Sequence, residues 1–403
     1  MTLRDVLAAF TLILTIASGT HLRADDSAAG AKMADQQAVD LEPLEYNRDI
    51  RPILTDLCFA CHGADEETRA AGLRLDVAEE AFDFGAILAG DPEGSEIIVR
   101  IRHQDPEWVM PPPETKKRVT PEQEAVLVRW IKEGATYQAH WSFEPPIVKE
   151  VQPADATWRK NPIDDYVAEK LESLGLQPAD EAEPRDLFRR LHFDITGLPP
   201  SAEDVDQFVR DYQSSGDVAY ESWVDRLMRS PAWGEHRARY WLDAARYGDT
   251  HGLHFDNYRE MWPYRDWVIR AFNQNQPFDQ FTVEQLAGDL LENPSESQLV
   301  ATGFQRCNIT TNEGGTIDDE NLANYAADRV QTFGWVFLGL TTNCAQCHDH
   351  KFDPLTAKDY YSLAAFFRNT TQGPKDGNRK DGRGPTLMIP SDEDRPRWDA
   401  IPG

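Results

Sequence analysis

The residues best equipped for chemistry fall in two short stretches. Cys344-Ala345-Gln346-Cys347-His348 runs into Asp349-His350-Lys351-Phe352-Asp353-Pro354, and Cys58-Phe59-Ala60-Cys61-His62 repeats the pattern near the front of the chain. Both read C-x-x-C-H, the spacing of covalent c-type haem attachment. Two thiols three residues apart on a tight helical turn can each form a thioether with one porphyrin vinyl group. The next histidine then presents its imidazole to the iron. Two haems c are therefore expected, held by Cys58 and Cys61 and by Cys344 and Cys347, with His62 and His348 as iron ligands. Chance would place one such match in a chain of this composition about once in a thousand. The competing reading is one zinc ion shared by all four motif cysteines. It leaves the histidine after each pair without a role. Cys307, the fifth cysteine, reads as a buried thiol.

The elements that must carry these residues are mainly helical. Ile50, Ile53, Leu54, Leu57 and Cys61 recur at helical spacing over 47–62, so the first pair sits at the end of an amphipathic helix that Gly63 stops. Thr120-Pro121-Glu122-Gln123 places an N-cap, a proline at N1 and a glutamine at N3, a capping box. Val126, Leu127, Trp130 and Ile131 form the apolar face of the helix it starts, and Gly134 ends that helix.

A small domain with an N-terminal haem helix and a C-terminal packing helix resembles a class I cytochrome c. That class takes a methionine from a loop as second axial ligand. Met110 is the only methionine between Met33 and Met228, in Trp108-Val109-Met110-Pro111-Pro112-Pro113, where prolines set the path of the loop. The resemblance thus implies Met110 as second ligand of the first iron, a thioether that raises the haem potential. His103 is the competing ligand, and a gap-filling core methionine is the plainer reading.

Beyond a Pro-rich linker at 138–160, a larger helical domain is expected over 161–370, with helices over 164–174, 184–193, 201–212, 220–228, 233–247, 264–273, 279–291, 320–340 and 359–367. No alternating run argues for a sheet. Two candidates could close the far side of the second iron, His251 and His254, beside Gly252 in a loop able to approach a cofactor. His254 is preferred. His350, two residues past His348, has poor reach to the opposite haem face and reads as a supporting residue. Ordinary hydrogen-bonded histidines remain the plainer reading of both. Residues 371–403 read as a loop or the start of a truncated third domain.

Net charge is −28, from 69 acidic and 41 basic residues among 403. Nucleic acid and anionic lipid both need clustered Lys and Arg, so neither is an expected partner. The acidity suits solubility and would suit a basic redox partner protein. Arg4 precedes an apolar run from Val6 to Ala17, and Leu22-Arg23-Ala24 offers a cleavage point, so 1–24 reads as a signal peptide and 25–45 as a disordered leader. An uncleaved anchor is the alternative. No further transmembrane candidate exists in the sequence. A periplasmic or otherwise exported location follows.

The N-terminal part, 46–137, resembles the planctomycete cytochrome c domain in Asn47-Arg48-Asp49-Ile50-Arg51-Pro52-Ile53-Leu54, in the haem motif with Gly63 and in Met110-Pro111-Pro112. Residues 162 to about 369 resemble the domain of unknown function that usually follows it. Asp194-Ile195-Thr196-Gly197-Leu198-Pro199-Pro200, Gln285-Leu286-Ala287-Gly288-Asp289-Leu290-Leu291, Ala301-Thr302-Gly303-Phe304 and Asn312-Glu313-Gly314-Gly315 carry the likeness. Leu338-Gly339-Leu340-Thr341 ahead of the second haem motif and Asp359-Tyr360-Tyr361 after it extend the likeness. The resemblance implies haem binding and electron transfer. The expectation is a mainly α chain, a small class I-like cytochrome c domain followed by a larger α-helical haem-binding domain, acting as an exported dihaem electron carrier. The alternative is a haem-dependent oxidoreductase acting on a carbohydrate or peroxide.

Overall fold

A computed structural model describes residues 43–148, 151, 158–253, 256–375, 386–391 and 393–401. The expected signal peptide, all but the last residues of the leader, and His254 lie outside the described residues. Among the described residues the regular elements are helical, apart from an isolated bridge between Thr250 and Tyr258.

The first haem motif ends a helical segment, as its apolar spacing predicts. A π-helical turn at Tyr46–Ile50 enters α1 (Arg51–Leu57), and α2 (Phe59–His62) follows. The single helix expected over 47–62 is broken at Cys58, whose carbonyl accepts from both Cys61 N (3.1 Å) and His62 N (2.9 Å). That tightening turns the two cysteines and the histidine towards one side. Then come α3 (Ala78–Asp83), α4 (Glu96–Arg102) and α5 (Pro121–Lys132). α5 begins with the expected capping box between Thr120 and Gln123. Ile50, Leu54, Ile87, Ile98, Leu127 and Ile131 are almost wholly buried together. Each such side chain contributes roughly 1.5–3 kcal/mol. Tyr46, Trp130 and Tyr137 close this core, with the Tyr46 and Tyr137 rings 4.6 Å apart.

In the second part, α6 (Pro162–Ser173) leads to α7 (Pro184–Thr196), α8 (Ala202–Ser215) and α9 (Asp217–Met228). The last three bury Phe188, Phe208 and Trp223, with Phe188 stacked on Phe208 at 4.5 Å. α10 (Pro231–Ala244) and α11 (Trp262–Asn273) pair closely, because Gly234 has no side chain. A Cβ there would stand 2.5 Å from the Asn273 side chain and from the Ile269 carbonyl. The remaining helices are α12 (Phe278–Ala287), α13 (Glu296–Ala301), α14 (Asp318–Phe333), α15 (Ala357–Arg368) and α16 (Arg395–Asp399).

The helix expected over 320–340 is α14 only as far as Phe333, where a π-helical turn, Gly334–Leu338, takes over. α3, α4 and α13 had no counterpart in the sequence reading, since six or seven residues give too few periods to register. Among the described residues no helix is long and apolar enough to cross a membrane.

Candidate functional site

Cys58, Cys61, His62 and Met110 line one cavity of about 370 Å³. Leu57, Leu73, Leu75, Ile97 and Ile101 make its walls apolar. α2 delivers the two thiols and the imidazole, and the backbone of Met110 is tied to α4 by a hydrogen bond from its N–H to the Arg100 carbonyl (3.0 Å). Burial pushes the Cys58 thiol up to about 12. It also pulls His62 below its ordinary value, only partly opposed by the Ala70 backbone. The buried His62 Nδ1 has no hydrogen bond of full geometry. A largely apolar pocket lined by two cysteines, a histidine and a methionine, with Glu96, Arg100 and Lys117 also on its wall, fits a porphyrin, whose faces are apolar and whose iron takes nitrogen and sulfur.

The second motif is placed by α14 and α15. Thr342 packs against Gly334, where a Cβ would collide with its side chain, and Thr342 Oγ1 donates to Val330 O (3.3 Å). Asn343–Gln346 is then a 3-10 turn, with Ala345 buried among Val330, Leu355 and Tyr360. This leaves Cys344 and Cys347 exposed. Tyr361 on α15 donates its hydroxyl to Gln346 O (2.8 Å). His348 Nδ1 lies 2.7 Å from Asp349 O. A carbonyl can only accept, so Nδ1 carries the proton and Nε2 keeps its lone pair. That tautomer is the one an iron ligand needs. The second motif therefore fits the attachment chemistry at the turn and at the imidazole.

The segment after His348 docks on the cytochrome-like part. His350 is buried, and its Nδ1 accepts from the backbone N–H of Asp353 (2.9 Å) and Phe352 (3.3 Å), which shapes the turn. Arg51 Nη2 donates to Phe352 O (2.6 Å). The His140 ring donates from Nε2 to Asp353 Oδ1 (3.0 Å). Asp65, three residues past His62, is buried. Burial would raise its carboxyl, but hydrogen bonds from Thr68 and Glu67 outweigh it, and the positive charge of Lys351 adds to them. The carboxyl is held below the usual range. Phe59 and Ala64 from the first motif's surroundings and Lys351 to Pro354 from the second line one cleft of about 200 Å³. The first motif and the segment that follows the second are thus neighbours across a single seam.

The structure places the other candidates elsewhere. His103 is exposed, its ring packed near Trp108 and its Nδ1 accepting from Asp105 N (3.0 Å). It is not among the residues lining the first cavity. His251 is buried, with Nδ1 2.8 Å from Thr310 Oγ1 and its backbone N–H on Asn257 O. Cys307 is a buried free thiol, pushed up to about 12 by burial. Among the described residues no three of His, Cys, Asp or Glu converge as a metal-binding group. The sequence reading missed the seam residues Arg51, Asp65, His140 and Asp353. His140 lay in the stretch read as linker, and nothing local marks it as a partner of Asp353.

Among known protein families, residues 58–114 match Planctomycete cytochrome C. Residues 162–372 match the family described as Protein of unknown function (DUF1549). No curated protein and no solved structure matches. The first match makes the front of the chain a c-type cytochrome, a family with covalent haem c. With more than half of its length inside the second match, and the cytochrome match ahead of it, the chain belongs to the family described as Protein of unknown function (DUF1549).

Proposed function

We propose that the chain is an exported dihaem c-type cytochrome that passes electrons between its two haems and on to a redox partner. The seam carries this reading: Phe59 of the first motif and Lys351 to Pro354, just past the second motif, line one cleft. When bound, the haems would supply one-electron redox chemistry. Cys58 and Cys61 would anchor the first, with His62 and Met110 on its iron. Cys344 and Cys347 would anchor the second, with His348 and His254 as its iron ligands.

The rest is done by this chain's own side chains. Arg51, His140 and Asp353 hold the second motif against the first domain. The apolar side chains of the first cavity, Leu57, Leu73, Leu75, Ile97 and Ile101, would pack against the porphyrin faces. The net charge of −28 would steer a basic partner to the surface.

The test is haem content. Haem staining after denaturing electrophoresis, with quantitation, should give two covalent haems per mature chain. Replacing Cys58 and Cys61 by Ala should leave one, and replacing Cys344 and Cys347 should also leave one. A wild-type content of one would sink the dihaem reading.

A further inference from the structure

A second large cleft lies away from both motifs, of about 640 Å³, between the 3-10 turn Thr302–Arg306, α14, α15 and the irregular segment 369–372. Its depth is set by Arg329, which is 4% exposed. Among the described residues its hydrogen-bond partners are neutral. Nε donates to Gln305 O (2.9 Å), and Nη2 donates to Asn308 Oδ1 (3.2 Å) and to Gln372 Oε1. Nη1 reaches the cleft wall through a long contact to Thr370 Oγ1, 3.4 Å. The neighbouring carboxylate, Asp328, is already engaged by Arg246 in a forked pair. Burial, with the like charges of Arg306 and Arg246, pulls the Arg329 guanidinium down to about 10. A desolvated guanidinium bonded to neutral groups is stabilised by an incoming anion.

The cleft's other walls narrow the ligand class. Phe366 is 75% exposed and offers a bare ring beside Phe333 and Phe367. Thr370 and Asn369 supply a hydroxyl and an amide at the same wall. Asp289 stands at the exposed rim and disfavours multiply charged anions. An apolar ring face, neutral hydrogen-bonding groups and the guanidiniums of Arg329 and the half-buried Arg306 match a hydroxylated ring that bears a carboxylate.

We propose that this cleft binds a cyclic sugar acid, its carboxylate on Arg329 Nη1 and its ring against Phe366. The site is independent of the electron-transfer reading, because none of the motif residues lines it.

The experiment is calorimetric titration of the intact haem-loaded protein with D-galacturonate, D-galactose and sodium sulfate, at constant ionic strength. Galacturonate should bind, and galactose should bind at least about tenfold more weakly, since a charge-assisted hydrogen bond is worth that much. Phe366→Ala and Thr370→Val, both at exposed positions, should each weaken galacturonate by several-fold. Arg329→Met should abolish it with haem content unchanged. If Arg329→Met fails to fold, the two surface variants decide. No galacturonate binding, equal binding of galactose, sulfate binding as tight as galacturonate, or indifference to both surface variants would each overturn the proposal.

Discussion

Asp353→Ala should loosen the seam between the two motifs. The His140 side chain is 7% exposed. Its Nδ1 accepts from Ser142 N (3.3 Å), so Nε2 carries the ring proton and donates it to Asp353 Oδ1 (3.0 Å). Removing the carboxylate leaves that N–H buried with its acceptor gone, at a cost of about 1–3 kcal/mol. At about 2 kcal/mol the closed seam loses roughly thirtyfold against the open one, given that 1.4 kcal/mol is tenfold in an equilibrium constant. Native-state hydrogen exchange reads this directly. The Phe352 and Asp353 amides are both donated to His350 Nδ1 and should lose protection by about that factor. Asp353→Asn keeps an acceptor oxygen and should lose much less. In His140→Ala, adding Asp353→Ala should cost little more, because the partner is already absent. Unchanged exchange in Asp353→Ala, or full additivity of the two substitutions, would show that this pair does not hold the seam.

Three further outcomes are expected. Met110→Ala should remove the weak near-infrared band of Fe(III)–thioether ligation, while His103→Ala leaves it; a band that survives the first change rules Met110 out. His254→Ala should turn the second iron high-spin and open to cyanide, with His251→Ala leaving it closed. A wild-type second iron already high-spin and peroxide-binding would replace the carrier reading with an enzyme. Acid should loosen α15 through Asp359, whose carboxyl is held below its usual range by hydrogen bonds from the Thr356 side chain and backbone. Its folded value is depressed, so its stabilisation is present above the unfolded value of about 3.9 and is lost as pH falls through the folded one. Thr356→Ala should cost about 1 kcal/mol at neutral pH and flatten that acid loss. Urea midpoints measured from pH 6 to 3 check this, and an unaltered acid slope in the variant would refute it.

Much of the site was legible because its chemistry is local. Each attachment motif is five contiguous residues, and a tight turn is enough to present two thiols and an imidazole together. The capping box at Thr120 and the apolar stripe through Ile50 and Leu54 are also decided within a turn or two of chain. What the amino-acid sequence determined alone was therefore the helical class and the acidic net charge, and it marked two C-x-x-C-H motifs as candidates for haem attachment. The break at Cys58 and the π-helical turn after Phe333 were not visible, since both answer to close packing, of the cysteine turn and of Gly334 against Thr342. The meeting of the motifs was decided only in three dimensions. His140 and Asp353 are 213 residues apart, and a hydrogen bond between distant residues leaves no periodicity behind. The resemblance had led to Met110 beside Cys58, Cys61 and His62, whereas Arg329 beside Phe366 left no local signal. Such neighbours arise from how buried faces bring the chain back on itself, a property of the packed core as a whole.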